Sequence, residues 1–146
     1  MARAVALLAR RDYSRAELRA KLVASGDGDP AEVDRVLDEL VARGLLSDTR
    51  FANGVVAHKR GTYSKRAIGA ALKARGVDDD AIAEAIAGGA IDDESAMIAL
   101  WRRRFGTAPA DEREKARQVR FLRSRGFSLS AILKLLRDPP EETSGG

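Results

Sequence analysis

Arg113, Arg117 and Arg120 stand at i, i+4 and i+7, so a helix through them would present three guanidinium groups in one stripe. Arg102, Arg103 and Arg104 precede them beside Trp101, and Arg123 and Arg125 carry the charge further. A guanidinium fork binds phosphate or carboxylate in bidentate fashion, so the chemistry on offer is recognition of an anion, with no covalent step. A smaller basic set lies in the middle of the chain: Lys59, Arg60, Lys65, Arg66, Lys73 and Arg75. Placement in the last turn of a helix favours some of these cations without any ligand. It does not explain the imbalance of residues 94–137, which carry 11 basic and 4 acidic side chains, a net of +7. Trp101 could stack on a base, but its position three residues from Ile98 favours a place in the core.

Other chemistry lacks parts. There is no cysteine, so disulfides and thiolate metal sites are excluded, and with His58 the only histidine a His-containing metal site or a Cys–His pair lacks parts. Neither a G-x-S-x-G elbow nor a G-x-x-x-x-G-K-[ST] loop is present. The acidic runs Asp78-Asp79-Asp80 and Asp92-Asp93-Glu94 suit helix N-termini better than a metal. No catalytic residue, metal or cofactor is expected, and the protein is read as a non-enzyme.

The elements that must position the arginines repeat along the chain. Gly26, Gly76 and Gly126 fall 50 residues apart, as do Leu22, Leu72 and Leu122, and each glycine closes a similar stretch. A period of this length marks a supersecondary unit that must stack on its neighbours to bury its apolar face. Each unit is expected to hold three helices. The first carries small and aliphatic pairs at i, i+4: Ala4 and Leu8, Ala52 and Val56, Ala96 and Leu100. The second ends at the recurring glycine, placed at C′ where the backbone turns left-handed. The third is amphipathic, most clearly through Val33, Val36, Leu37, Leu40 and Val41. Ser14-x-x-Glu17 and Asp111-x-x-Glu114 read as capping boxes, Asp29-Pro30 as a cap followed by proline at N1, and Ser64 and Ser128 as further N-caps. The turn Gly61-Thr62-Tyr63-Ser64 either presents Tyr63 to a partner or is a plain interhelix turn. The expected domains are residues 1–47, 48–93 and 94–137, followed by a disordered acidic tail over 138–146.

Apolar residues make up 45% of the 146, enough for a core, while only 5% are aromatic, which favours close-packed helices over a sheet. No segment alternates with period 2, and no apolar run approaches the roughly 20 residues of a membrane helix. The expected location is the cytoplasm and the simplest expectation is a monomer.

The segment Asp12-Tyr13-Ser14-Arg15-Ala16-Glu17-Leu18-Arg19 with Lys21-Leu22, then Gly44-Leu45-Leu46-Ser47-Asp48-Thr49-Arg50-Phe51-Ala52, then Arg125-Gly126-Phe127-Ser128, resembles the RecX family in order and spacing. Ser47 stands where the family pattern has an aspartate, a change that should preserve a cap. The resemblance covers about residues 3–137. It implies an all-α fold of three tandem three-helix repeats stacked into an elongated, curved right-handed array. It also implies a bacterial regulator that binds the RecA recombinase and its filament on single-stranded DNA. Such proteins inhibit ATP hydrolysis, strand exchange and coprotease activity, and so modulate recombination, DNA repair and the SOS response. Some also bind DNA directly. The family brings no catalytic residues.

For that function the expected contact set is Arg102, Arg103, Arg104, Arg113, Arg117, Arg120 and Arg123, with Lys65, Arg66 and Lys73 secondary. Two other readings stay open from the residues alone. A helix-turn-helix-like DNA binder acting without RecA would bind duplex, usually as a symmetric dimer. A scaffold for another protein would show no DNA dependence.

Overall fold

Side chains that accept backbone N–H groups stand where the sequence places helix starts. Ser14 Oγ accepts from Glu17 N while Glu17 Oε1 accepts from Ser14 N, each at 3.1 Å, a complete capping box. Asp29 accepts from Glu32 N with Pro30 at N1. Ser64 and Ser128 accept from Ala67 N and Ala131 N. Ser47 also caps, accepting from Arg50 N at 3.1 Å, so the serine in place of aspartate preserves that function. Asp111 forms only half of the expected box. It accepts from Glu114 N, but the Glu114 carboxylate is drawn away to Gln118 at 3.3 Å and Arg117 at 3.2 Å.

The chain is seen here in a computed structural model that describes residues 1–140. Among these, all regular structure is helical: α1 (Ala2–Arg10), α2 (Arg15–Ala24), α3 (Pro30–Ala42), α4 (Asp48–Lys59), α5 (Lys65–Ala74), α6 (Asp79–Gly88), α7 (Asp93–Arg104), α8 (Glu112–Ser124) and α9 (Leu129–Arg137). The expected tail falls outside the described residues from 141 onward.

The 50-residue period reappears in the helix ends. Gly26, Gly76 and Gly126 have φ of 72°, 82° and 92°, a region where a Cβ is penalised. The carbonyls of Leu22, Leu72 and Leu122 accept from Asp27, Val77 and Phe127 at 3.1, 3.2 and 3.3 Å, the 6→1 bond of a Schellman motif. The same three leucines are buried, so each anchors its helix in the core and its terminus in the cap.

Packing divides the chain into two compact units. The first holds Met1–His58 and Gly69–Gly89, and the second holds Lys59–Ile68 with the chain from Ala90 onward. In the first unit Leu18, Leu22, Val33, Leu37, Leu40 and Leu46 form one cluster. In the second, Leu100, Trp101, Leu122, Phe127, Ile132 and Leu136 form another. Each such side chain contributes about 1.5–3 kcal/mol by leaving water. Val41, expected on the buried stripe of α3, instead points outward and is 48% exposed. The buried positions are Val33, Leu37 and Leu40, and Val41 lies a further 100° around the helix from Leu40.

Both units contain the same junction. In the first, the α5 terminus sits on the start of α2: Ser14 Oγ donates to Arg75 O at 2.6 Å, Arg75 Nη1 meets Glu17 Oε2 at 2.8 Å, and a Cβ on Gly76 would overlap that of Ala16. In the second, the α8 terminus sits on the start of α5: Ser64 N donates to Arg125 O at 2.9 Å, and a Cβ on Gly126 would overlap Ser64 Oγ and lie 2.6 Å from Ala67 Cβ. An aspartate closes each junction. Asp48 Oδ1 accepts from Arg15 N at 2.7 Å and Asp93 Oδ1 from Lys65 N at 2.9 Å. Gly26, by contrast, faces open space.

Gly26→Ala should therefore cost only the left-handed penalty, about 1–2 kcal/mol. Gly126→Ala adds a clash and should cost clearly more; urea unfolding of the two variants at neutral pH checks the order. A second prediction concerns acid. Hydrogen bonds from the Ser95 hydroxyl and N–H hold the Asp92 carboxyl below the usual carboxylate range. A depressed folded-state pKa stabilises above the unfolded value, and that contribution disappears as pH falls below about 4. Asp92→Asn should flatten this part of a melting-temperature profile against pH, and an unchanged profile would count against it.

Candidate functional site

Helix α8 sorts its residues by face. Gln118 and Leu122 are buried, whereas Arg113, Arg117, Arg120 and Arg123 are all exposed. Their guanidinium groups are not equivalent. Arg117 pairs with Glu114 at 3.2 Å and lies over the Phe105 ring, 5.3 Å from its centroid. Arg104 lies 4.9 Å over Phe121, and the two phenylalanine rings meet edge to face at 5.6 Å. Arg103, Arg113, Arg120 and Arg123 are exposed and have no side-chain partner among the described residues. The expected stripe thus divides into cations engaged with aromatic rings and cations left open to an anion.

Nine of the ten expected contact residues fall in the second unit: Arg102, Arg103, Arg104, Arg113, Arg117, Arg120, Arg123, Lys65 and Arg66. All nine are exposed. Lys73 belongs to the first unit, where it pairs with Asp79 at 3.6 Å. The structure does not bring Lys73 into the compact unit that holds the others.

Several neighbours prove structural. Trp101 is 2% exposed and its Nε1 donates to Gln118 Oε1 at 2.9 Å, so its ring is unavailable for stacking on a base. Gln118 Nε2 in turn donates to Thr107 O at 3.2 Å and Glu114 Oε1 at 3.3 Å. Sequence reasoning missed Gln118, although its i, i+4 spacing to Leu122 placed it on the inward face. Arg125, expected to continue the charge, is half-buried. Its Nη1 donates to Tyr63 Oη at 2.5 Å and its guanidinium lies over the Tyr63 and Phe121 rings at 4.9 and 5.2 Å. Tyr63 also carries Lys59 Nζ at 4.5 Å, and Ser64 is buried, so the Gly61–Ser64 segment is an interhelix turn locked by its own side chains. His58 is exposed on α4. Among the described residues no group of three or more His, Asp or Glu converges as metal ligands.

Residues 1–40, 47–86 and 92–136 match the first, second and third three-helix domains described for RecX. The chain is 44% identical over 135 residues to the regulatory protein RecX of Leptothrix cholodnii, covering 92% of this chain and 85% of that protein. It is 42% identical to the regulatory protein RecX of Chromobacterium violaceum, covering 92% and 87%. The chain belongs to the RecX family. In fold it resembles the crystal structure of RecX from Lactobacillus salivarius, with a TM-score of 0.70 at 20% identity, covering 92% of this chain and 90% of that one.

The segments that carried the RecX resemblance turn out to be scaffold. Asp48 caps the start of α2, and Arg50 reaches Asp12 at 3.0 Å, Gly44 O at 3.2 Å and Leu45 O at 3.1 Å. Phe51 and Ala52 are buried. These residues hold helices together, while the exposed arginines of α7 and α8 belong to the second unit. Removing the buried partner of Trp101 should be costly. Gln118→Ala would leave the indole N–H unpaired, about 1–3 kcal/mol before any cavity cost. The expected result is a lower denaturation midpoint and a shift in the emission of Trp101, the only tryptophan.

Proposed function

We propose that this RecX-family protein binds RecA and RecA filaments on single-stranded DNA and inhibits ATP hydrolysis, strand exchange and coprotease activity, thereby modulating recombination, repair and the SOS response. Family membership carries the reading. The open arginines of α7 and α8 supply its physical means. Arg103, Arg113, Arg120 and Arg123 are exposed cations in a segment of net charge +7, suited to the DNA backbone or an acidic protein surface. Arg104 and Arg117, whose guanidinium groups lie over phenylalanines, act as rigid flanks, and Lys65 and Arg66 as a secondary set. Lys73, which belongs to the first unit with Asp79 at 3.6 Å, completes that secondary set.

Inhibition of this kind needs no chemistry by the bound protein. A ligand that prefers one filament conformation shifts the population towards it. We assign the repeats to residues 1–47, 48–93 and 94–137, and place the protein in the cytoplasm as a monomer. The same open arginines also favour a second reading, a helical DNA-binding protein that acts without RecA.

The test is single-stranded-DNA-dependent ATP hydrolysis by the cognate RecA, titrated with this protein at two salt concentrations. Near-stoichiometric inhibition that weakens with salt is the expected result. The triple variant Arg113→Gln, Arg120→Gln, Arg123→Gln should need about tenfold more protein for the same inhibition, with an unchanged melting temperature. Unaltered hydrolysis with wild-type protein would sink the RecA reading and favour the DNA binder. Unaltered potency of the triple variant would instead move the contact away from α8.

A further inference from the structure

The second unit offers two surfaces of opposite character. A groove of about 620 Å³ beside α7, α9 and the start of α5 mixes the cations Arg66 and Lys134 with the carboxylates of Asp93, Glu94 and Asp138, so it selects no sign of charge. The α7–α8 surface does select one. Residues 101–125 carry nine basic and three acidic side chains. The three acids all stand at the start of α8, where Asp111 caps the helix and Glu114 is engaged by Arg117 and Gln118.

Aromatic rings are interleaved with these cations. Phe105 and Phe121 pack against the core cluster of this unit but are only half-buried, so neither is closed off from water. The two rings meet edge to face at 5.6 Å. Arg104 lies 4.9 Å over Phe121 and Arg117 lies 5.3 Å over Phe105. Arg125 lies over both Phe121 and Tyr63, at 5.2 and 4.9 Å, and ties the band to the α4–α5 turn. Arg104 is exposed, and the Arg117 side chain is 61% exposed despite its contact with Glu114. Each of these two guanidinium groups therefore has a ring on one side and water on the other.

A guanidinium held over a ring offers two things at once: N–H groups in its plane, which suit phosphate, and a flat face, which suits another planar group. An acidic peptide would use only the first. A duplex hides its base faces in its own stack. A single strand presents phosphates and free base faces together, and cations interleaved with rings are the means by which such strands are bound. Trp101, the ring that the sequence offered for stacking, is buried, so the role passes to its neighbours.

We propose that the Phe105–Phe121 band is a stacking platform for single-stranded nucleic acid. Bases lie on the outer faces of Arg104 and Arg117, and phosphates are taken by Arg113, Arg120 and Arg123. Phe105 and Phe121 are positioning residues that hold the two guanidinium groups in place. The inference rests on the recognition surface proposed above, where the same arginines suit either the DNA backbone or an acidic protein surface, and it assigns them to the strand.

The probe is a fluorescein-labelled oligothymidylate of about 16 nucleotides, compared with an abasic strand of equal phosphate number, each mixed with the full-length protein and followed by anisotropy. The ratio of the two affinities reads the bases alone. The thymidylate strand should bind at least about tenfold more tightly. The double variant Arg104→Lys, Arg117→Lys keeps both charges and loses the planar faces, so the ratio should fall to about one. The triple variant Arg113→Gln, Arg120→Gln, Arg123→Gln should weaken both strands alike, flatten their salt dependence and leave the ratio unchanged. Equal binding of the two strands, binding of neither, or a ratio that survives the double variant overturns the proposal. RecA is absent from this experiment. Equal strand binding together with inhibited hydrolysis would therefore leave the regulator reading standing and give these arginines to a protein surface.

Discussion

The structure depends on a close approach of one helix end to the start of another. The left-handed end of one repeat's second helix rests directly on the first turn of the preceding repeat's second helix. At Gly76 and Gly126 there is no space for a Cβ, since Ala16 in one case and Ser64 with Ala67 in the other fill it. The contact brings a carbonyl, Arg75 O or Arg125 O, within reach of Ser14 Oγ or Ser64 N. It also sets the position from which Asp48 or Asp93 can cap the next N–H. Polar groups at helix termini, which otherwise require water, thus become the joints within each unit. Glycine is needed twice over at these two positions, for its φ and for its lack of volume, whereas Gly26 meets only the first demand.

This division of labour explains why the family signature and the candidate surface are different residues. Asp12, Ser14, Asp48 and Arg50 are polar and would attract a functional reading from sequence, yet their hydrogen bonds close inward on neighbouring repeats. Arg125 behaves alike, its guanidinium spent on Tyr63 and Phe121. Arg113, Arg117, Arg120 and Arg123 of α8 take no part in these joints. Arg113, Arg120 and Arg123 are exposed there, with no side-chain partner among the described residues.

The groove of the second unit and the α8 face offer different physics. Arginines on a convex helix give salt-sensitive, orientation-tolerant attraction. The groove has an apolar floor of Met97, Ile98, Phe127 and Leu135 with Arg66, Lys134, Asp93, Glu94 and Asp138 around it, which offers shape in place of a single sign of charge.

The sequence by itself determined the helices, their ends and their period. Capping side chains, C′ glycines and i, i+4 apolar spacing act within a few residues, so Ser14, Asp29, Ser64, Gly76 and Gly126 were legible without coordinates. Charge was also legible, because it is a sum over residues. Tertiary structure alone decided which charges remain open, because that depends on partners distant in the chain. Arg125 meets Tyr63 across 62 positions, Trp101 meets Gln118 across 17, and Lys65 N–H meets Asp93 across 28. It also decided that Lys73 lies in another unit from the rest of the contact set, and that Val41 turns outward despite its place in the pattern. Local periodicity specifies a face, but only the neighbouring helices determine how wide the buried part of that face is.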